Sequence, residues 1–493
     1  MQGFNAEKKA IRIKPLQIIA VLAFLQLIIA FLTVPMIFTH EEAMWQYIGR
    51  NWIRNSLVPY MGGVDNKSPL IFFIFGFSDR LFGVNFWFPR LLGILVQSVG
   101  IFFLFRIAEK TISRQAGIIA ISFYGLSLLW RSTGGKYVSF TETYSITCII
   151  IAIYYCIVCN NNYRYAFGAG FFAGVGLAFR FSAVFGIIPA ILFVFRQNRK
   201  SGLRFLLGLL TSIGLLFFLS VIAGIRINEF LFYGLADNFG AGSPTGHSLA
   251  WKAQAFADGF FYSELILFYP ALVAYFILNR KMNFLKTWLI CEFMGIIILG
   301  IYARNHFKEV LPPLSLMSAY VIDWLAENHQ ASLKQILLGI WIVFFPKTIE
   351  PLFAIKRIFV SKSSHPVTGD KSMAVEDENL KRQIGLWIRD NTTPGEKVFI
   401  AGYGAQIQAY SERISPSIYF NVTQTAFAKN RLYADLSSNK PDLLVIPLQE
   451  RYLTSVGEDI RSYISGLVIR NYKLDTCLYN YDIFRIVKAK IPK

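Results

Sequence analysis

The chain is unusually apolar for its length. It has 493 residues, of which 54% are hydrophobic and 16% charged, and its mean hydropathy is +0.45. Soluble globular domains carry about 25% charged residues, so this composition argues against a soluble protein and predicts a multi-pass membrane protein. The net charge of +19 does not indicate nucleic-acid binding, because the Lys and Arg residues lie in the gaps between apolar runs, as membrane topology requires.

The first apolar run, from about Leu16 to Phe38, follows a basic segment that ends at Lys14. Basic residues favour the cytoplasmic side, so we predict a cytoplasmic N-terminus and a retained span. The second predicted span begins near Phe88 and runs inward, and a later inward span ends near Arg280. The remaining predicted spans lie at about 115–131, 143–159, 164–179, 182–195, 203–224, 285–302, 309–326 and 334–355. These runs give about eleven transmembrane helices by length, and an odd number puts the C-terminal part outside.

A polar segment, residues 39–87, separates the first two spans and forms the predicted first outer loop. It contains Glu41 and Glu42, a Pro-Tyr turn at Tyr60, and Asp65 shortly before Lys67. The apolar run from Pro69 is short and interrupted by polar residues, so we predict a helix lying in the outer membrane interface.

The last part of the chain, residues 361–493, changes character. The sequences LKRQIGLWI and IRSYISGLVI have helical periodicity, whereas KVFIAG, DLLVI and the stretch from Tyr479 to Ile486 are typical of strands or a hairpin. This length suffices for a separate core. We therefore predict a transmembrane domain over residues 1–360 and a small extracytoplasmic α/β domain over residues 361–493.

Many ionisable residues do not lie in the predicted cytoplasmic loops. They collect on the predicted outer face. Charges near membrane depth are costly and indicate a functional cavity. They are Glu41, Glu42, Lys67, Arg90, Arg131, Lys136, Glu142, Arg180, Arg226, Asp237, His247, Arg304, His306 and Lys308. Carboxylates and cations on one rim suit a site that binds a lipid-linked anion and also holds a base.

Structural interpretations compete with these functional ones. The pair Glu41 and Glu42 is also favourable at a helix N-terminus, and Lys67 is also explained by snorkelling at the interface. Arg180 faces either a cavity or the lipid phosphates. His247 and His306 lack metal-ligand spacing, and the pattern supports neither a divalent metal nor another cofactor.

Several motifs together resemble one family. The stretch EEAMWQYIGRNW, then VPY, then VDNKSPLIFFIFGFSDRLFGVNFWFPRLLGIL resembles the first outer loop of GT-C glycosyltransferases of the dolichyl-phosphate-mannose protein mannosyltransferase and lipid A aminoarabinose transferase type. The likeness continues at FTETYSI, LAFRFSAV, ARNHFKEVLPPLSL and LWIRDNTTPGEKVFIAGYG. It thus extends over nearly the whole chain.

The resemblance implies roles for particular residues. Glu41 would be the catalytic base, Lys67 would hold the carrier phosphate, and Glu142 would be the acidic residue at the outer end of its span. The family's usual Asp is here Glu41, which keeps Glu42 as an alternative base. Asn66 stands where some relatives have a metal-binding carboxylate.

The resulting expectation is an inverting glycosyltransferase at the outer face of a bacterial inner membrane. The donor would be a polyprenyl-phosphate-linked sugar, and the acceptor a hydroxyl of lipid A, another glycan or a protein. Arg180 or Arg304 would assist Lys67 in holding the phosphate. The expected partners include membrane lipids but no nucleic acid. A transporter or flippase for an anionic lipid or solute is the alternative, although no matched half-repeats indicate one.

Overall fold

The protein is mostly helical. A computed structural model describes residues 14–33, 38–130, 133, 137–159, 162–236, 249–261, 263–300, 302, 304–329, 332–360, 373–421, 426–448 and 458–487. Up to residue 360 the α-helices are Pro15–Ile28, His40–Asn55, Pro69–Phe82, Trp87–Thr111, Arg114–Ser127, Thr141–Val158, Tyr163–Phe179, Val184–Gln197, Arg199–Ile222, Ile227–Glu229, Leu249–Phe260, Tyr269–Leu278, Phe284–Leu299, Leu311–His329 and Leu333–Val360. Ile29–Thr33 and Phe230–Ala236 are π-helical, and Phe181–Ala183, Glu264–Phe268 and Arg304–Val310 are 3-10 turns.

Every apolar run predicted to cross the membrane contains one of these helices. Within the described part, three are long and apolar enough to span a bilayer: Trp87–Thr111, Thr141–Val158 and Arg199–Ile222. A fourth span results if the bent pair Ala250–Phe260 and Glu264–Leu278 crosses as one unit. These helices support the prediction of a multi-pass membrane protein, while the number of eleven spans stays a prediction.

The helix Pro69–Phe82 has clear start and stop signals. Ser68 caps its N-terminus, Pro69 occupies the first turn, and Gly83, at φ +71°, ends it in a conformation suited to glycine. Its outward side carries Phe73, Phe77, Leu81 and Phe82, all of them exposed. An exposed aromatic face on a short helix beside the spans fits the predicted interfacial position.

The first outer loop is compact because two of its helices touch through their backbones. A Cβ atom added at Gly76 would lie 2.3 Å from the carbonyl oxygen of Gly49, and one added at Gly49 would lie 2.4 Å from the nitrogen of Gly76. Only glycine permits this approach between His40–Asn55 and Pro69–Phe82. Asp79, which is buried, adds a salt bridge of 2.6 Å to Arg54 across the same contact.

The C-terminal part contains a four-stranded sheet with helices around it. Its strands are Val398–Ile400 (β1), Leu443–Pro447 (β2), Tyr472–Leu478 (β3) and Tyr481–Ile486 (β4), in the order β1-β2-β4-β3. Strands β1 and β2 are parallel, and the other pairs are antiparallel. The helices are Met373–Asp390, Ala405–Ser411, Ala426–Ser438 and Glu458–Asn471. The small α/β unit is as predicted, but β3 and the helices Ala405–Ser411 and Ala426–Ser438 were not.

This C-terminal part packs directly on the first outer loop. The Ser415 backbone N–H donates to the Tyr47 hydroxyl at 2.8 Å, and the Val64 N–H donates to the Ile418 carbonyl at 3.0 Å. Buried side chains from both regions form one hydrophobic cluster. The predicted domain boundary at 360/361 adjoins residues 361–372, which lie outside the described residues, so the division into two domains stays a prediction.

Candidate active site

The N-terminus of the helix His40–Asn55 is fixed by a capping box. The Thr39 hydroxyl accepts from the Glu42 N–H at 3.2 Å, while the Thr39 N–H donates to Glu42 Oε2 at 2.9 Å. Each side chain therefore accepts a hydrogen bond from the backbone N–H of the other residue, which fixes the start of the helix. Because adjacent helical residues are rotated by about 100°, the neighbouring carboxylate, Glu41, leaves the helix in another direction, and it is exposed whereas Glu42 is buried.

Glu42 points into the protein and forms a buried ion pair. Arg90 Nη2 lies 2.7 Å from Glu42 Oε2, Arg90 Nε donates to Glu42 Oε1 at 2.9 Å, and both side chains are 0% exposed. The Ser139 hydroxyl also donates to Glu42 Oε1 at 2.6 Å. With both oxygens engaged, Glu42 ties the first outer loop to the span Trp87–Thr111.

Glu41, by contrast, is exposed. It lies beside His40, whose imidazole is half-buried and has Nε2 3.1 Å from Asn421 Nδ2. Burial lowers the pKa of His40 below its ordinary value, and Lys381 acts in the same direction, whereas the charges of Glu41 and Asp65 oppose the shift. Glu41, His40 and Asp65 are therefore near enough to interact electrostatically, in a region where the C-terminal part also contributes side chains.

The loop after this helix brings the other predicted residues to the same region. Trp45 Nε1 donates to Asp65 Oδ2 at 2.8 Å, and the ammonium of Lys67 donates to Asn66 Oδ1. The Tyr60 hydroxyl donates to the Lys67 carbonyl at 2.6 Å. Asp65 and Lys67 are thus held by specific contacts rather than left on a loose loop.

A second polar cluster forms around Glu142, in the first turn of Thr141–Val158. The guanidinium of Arg180 donates to Glu142 Oε1, Asn305 Nδ2 donates to the same oxygen at 2.6 Å, and His306 Nε2 lies 4.0 Å away. The Thr141 hydroxyl donates to Glu142 Oε2 at 3.2 Å. Three separate segments therefore meet at one carboxylate.

Arg180 lies between two carboxylates. Besides Glu142 it contacts Glu309, with Nε 2.8 Å from Oε1, and the Ser182 hydroxyl bridges the two by accepting from Arg180 at 2.6 Å and donating to Glu309 at 2.7 Å. Arg180 is 9% and Glu309 5% exposed. The guanidinium is thus held within the protein rather than directed to bulk lipid phosphates.

The two clusters adjoin each other, since the charge of Lys67 acts on Glu142. The arrangement therefore combines an exposed carboxylate, a lysine and a fixed arginine near the outer loop. Among the predicted residues, His247 lies outside the described residues, as do Arg131, Lys136 and Asp237. Arg304 begins the turn Arg304–Val310, but its side chain is not among those described.

Sequence reasoning missed Glu309, Asn305 and Ser182 as members of the second cluster. Another buried carboxylate, Glu292, accepts from Trp288 Nε1 at 2.9 Å inside the apolar helix Phe284–Leu299. A charge within an apolar run is a signal that could have identified Glu292. No group of three or more His, Cys, Asp or Glu residues suited to a metal occurs among the described residues.

Comparisons with known proteins identify the fold. The family model "Dolichyl-phosphate-mannose-protein mannosyltransferase" matches residues 66–223, which is less than half of the chain. The structure resembles ArnT from Cupriavidus metallidurans bound to undecaprenyl phosphate, with a TM-score of 0.63 and 14% identity over 94% of this chain and 97% of that one. This chain has the GT-C glycosyltransferase fold.

Two further GT-C structures agree. The oligosaccharyltransferase AglB from Archaeoglobus fulgidus, in complex with an inhibitory peptide and a dolichol-phosphate, gives a TM-score of 0.53 at 12% identity, covering 97% of this chain and 75% of that one. The arabinofuranosyltransferase AftD from Mycobacteria gives 0.50 at 13% identity, covering 96% and 42%. No curated protein matches the chain significantly. The expected resemblance to GT-C glycosyltransferases is confirmed at the level of the fold.

Proposed function

We propose that the protein is an inverting glycosyltransferase that uses a polyprenyl-phosphate-linked sugar as donor and a hydroxyl of a lipid, glycan or protein as acceptor. The observation that carries this proposal is the different setting of the two adjacent carboxylates. Glu42 is held in a buried ion pair with Arg90, whereas Glu41 is exposed and interacts electrostatically with His40, as does Asp65 of the loop that carries Lys67. A general base needs this access to its substrate.

In the proposed reaction, Glu41 takes the proton of the acceptor hydroxyl as its oxygen attacks the anomeric carbon. The bond between that carbon and the phosphate oxygen breaks, and its electron pair stays on the phosphate. Attack from the side opposite the leaving group inverts the configuration. Lys67, assisted by Arg180, stabilises the negative charge that develops on the departing phosphate.

The carrier lipid is supported by the structures of similar fold. ArnT was solved with undecaprenyl phosphate and AglB with a dolichol-phosphate. A long polyprenyl chain requires a lateral opening to the bilayer, and the exposed aromatic face of Pro69–Phe82, within the first outer loop, is a surface that such a chain could contact. We therefore assign the donor headgroup to the region between Lys67 and Arg180.

The distribution of basic residues supports the proposed sidedness of the reaction. Arg106, Lys110 and Arg114, and then Arg196 and Arg199, lie at the predicted inner ends of spans. This orientation puts the first outer loop and the C-terminal part on the extracytoplasmic side of a bacterial inner membrane. The sugar would be transferred there from a lipid exposed in the outer leaflet.

The test is donor turnover by purified protein in liposomes with a panel of labelled polyprenyl-phosphate hexoses and pentoses. Wild type should release sugar, and Glu41→Gln should lose this activity while still binding the donor. Glu327→Gln is the matched control, because Glu327 is also an exposed glutamate but lies in the last turn of Leu311–His329. If wild type neither binds nor consumes any donor, and Glu41→Gln behaves like wild type in cells, the transferase proposal is wrong and transport of an anionic lipid becomes the better explanation.

A further inference from the structure

Tyr60 has a backbone conformation that bulky residues rarely adopt. Its φ angle is +69°, in the left-handed region where Cβ crowds the following carbonyl. Such a residue persists only where its surroundings hold it in place, and strained residues of this kind concentrate at functional sites. The contacts of Tyr60 indicate what its conformation achieves.

The turn that contains Tyr60 is fastened at several points. The Tyr60 N–H donates to the Gly63 carbonyl at 2.9 Å, and the Gly62 N–H donates to the Val58 carbonyl at 2.9 Å. Asn51 Nδ2, from the preceding helix, donates to the Gly62 carbonyl at 2.8 Å. The left-handed backbone is therefore held by hydrogen bonds on both sides of the residue.

The left-handed conformation directs the aromatic ring inward. The ring is fully buried, with its centroid 6.1 Å from that of Phe72 and 5.8 Å from that of Phe230. Its hydroxyl donates to the Lys67 carbonyl at 2.6 Å. The side chain thus reaches across the loop to the residue assigned to the donor phosphate.

The phenol remains a hydrogen-bond donor at all physiological pH values. Burial raises the pKa of Tyr60 well above its ordinary value, and the negative charge of Asp65 acts in the same direction. The hydrogen bond to Lys67 is therefore not a titrating contact.

The segment held by this hydroxyl has little regular structure of its own. Residues 64–68 form neither helix nor strand. Trp45 holds Asp65 at one end, and the cap formed by Ser68 begins the next helix at the other. Between these two points, Tyr60 holds the carbonyl of Lys67. A lysine side chain is flexible, so the volume that its ammonium can reach is set by the position of its backbone.

We propose that Tyr60 is a positioning residue, which fixes the backbone of Lys67 and thereby directs the Lys67 ammonium to the phosphate of the carrier lipid. This inference rests on the proposed function. Tyr60 acts through Lys67 and does not itself take part in proton transfer or phosphate binding.

The first test is Tyr60→Phe, which keeps the buried ring and removes only the hydroxyl. Undecaprenyl phosphate is the probe, and its affinity is measured with the full chain in nanodiscs. We expect binding about tenfold weaker, the scale of one lost buried hydrogen bond. Tyr472→Phe is the matched control, because the buried Tyr472 hydroxyl also donates to a carbonyl, that of Pro441, at 2.8 Å, but lies in the C-terminal sheet.

The lipid-free melting temperature and a double-mutant cycle separate positioning from general stability. Tyr60→Phe should lower the melting temperature no more than Tyr472→Phe does, and Tyr472→Phe should bind the lipid like wild type. In the Lys67→Ala background, Tyr60→Phe should weaken binding by less than about twofold, because residues that act as one unit are not additive.

Two results would overturn the inference. One is wild-type affinity in Tyr60→Phe, and the other is an equally large effect of Tyr60→Phe with and without Lys67. A wild-type protein that does not bind undecaprenyl phosphate would be a different failure, because it would refute the proposed function itself.

Discussion

Replacing each of the adjacent carboxylates by its amide should separate activity from stability. Glu42→Gln keeps the shape of the side chain but removes its charge, and the Arg90 guanidinium, which is 0% exposed, then stays buried without its counter-charge. Removing one partner of a buried ion pair costs about 3–5 kcal/mol. The loss should be near the upper end, because Ser139 and the N-cap Thr39 also bond to this carboxylate.

Glu41→Gln should reduce activity and leave stability nearly unchanged. Its side chain is exposed, and substitutions at such positions usually change stability by less than about 0.5 kcal/mol. Loss of a general base lowers a reaction rate by about 10²–10⁴-fold. Glu41→Gln should therefore unfold like wild type and transfer little sugar.

Thermal unfolding in detergent and donor turnover, measured on the same preparations, provide the comparison. Arg90→Met should restore part of the stability lost in Glu42→Gln, because it removes the uncompensated charge and retains apolar contacts. The reasoning is refuted if Glu41→Gln lowers the melting temperature as much as Glu42→Gln, or if Glu42→Gln melts like wild type.

Three further predictions concern the first outer loop and its contact with the C-terminal part. Gly76→Ala should lower the free energy of unfolding by about 1–3 kcal/mol, because the new Cβ would lie 2.3 Å from the Gly49 carbonyl oxygen. Gly339→Ala is the control, because its new Cβ would meet nothing within 4 Å. Equal melting temperatures of the two variants would contradict the prediction. Tyr47→Phe should lower the free energy of unfolding by about 1–3 kcal/mol, because it leaves the buried Ser415 N–H without its acceptor. The melting temperature should fall, and an unchanged melting temperature would show that the hydroxyl is dispensable. Burial lowers the pKa of His40 below its ordinary value in the folded state, so the unfolded state binds more protons. Stability should therefore fall as the pH drops below about 6.5, the ordinary pKa of histidine. His40→Gln should make this fall smaller, and an unchanged dependence of the melting temperature on pH would refute the prediction.

The helices of the membrane part could be predicted because their signals are local. The Ser68-Pro69 start and the Gly83 stop of the helix Pro69–Phe82 are visible in the sequence, as are the alternating apolar runs and basic gaps. The helix Ala405–Ser411 could not be predicted, since seven residues give too little periodicity to recognise. Strand β3 has mostly exposed side chains, which leaves it without the apolar pattern of a buried strand.

The sequence indicated residues of both clusters, including Glu142 and Arg180 of the second, but not how they pair in the folded protein. The polarity of the first outer loop singled out Glu41, Glu42 and Lys67, and the family resemblance suggested their roles. Neither could distinguish the two glutamates, because the Arg90 that engages Glu42 lies 48 residues further along the chain. The second cluster depends on contacts between distant segments. Glu142 and Glu309 meet at Arg180 only because three helical elements come together in the folded protein.

The charges of the two clusters indicate how phosphate binding is divided between Lys67 and Arg180. Arg180 already contacts two carboxylates, Glu142 and Glu309, so much of its charge is compensated before any lipid arrives. The ammonium of Lys67 contacts the neutral side-chain amide of Asn66. The amide orients the ammonium without cancelling its charge, and Glu142, on which that charge acts, is already in contact with Arg180. The charge of Lys67 is therefore compensated less than that of Arg180, and a less compensated charge attracts an anion more strongly. Lys67 should therefore supply most of the attraction for the carrier phosphate, while Arg180, fixed by its two carboxylates, sets the geometry in which that phosphate departs.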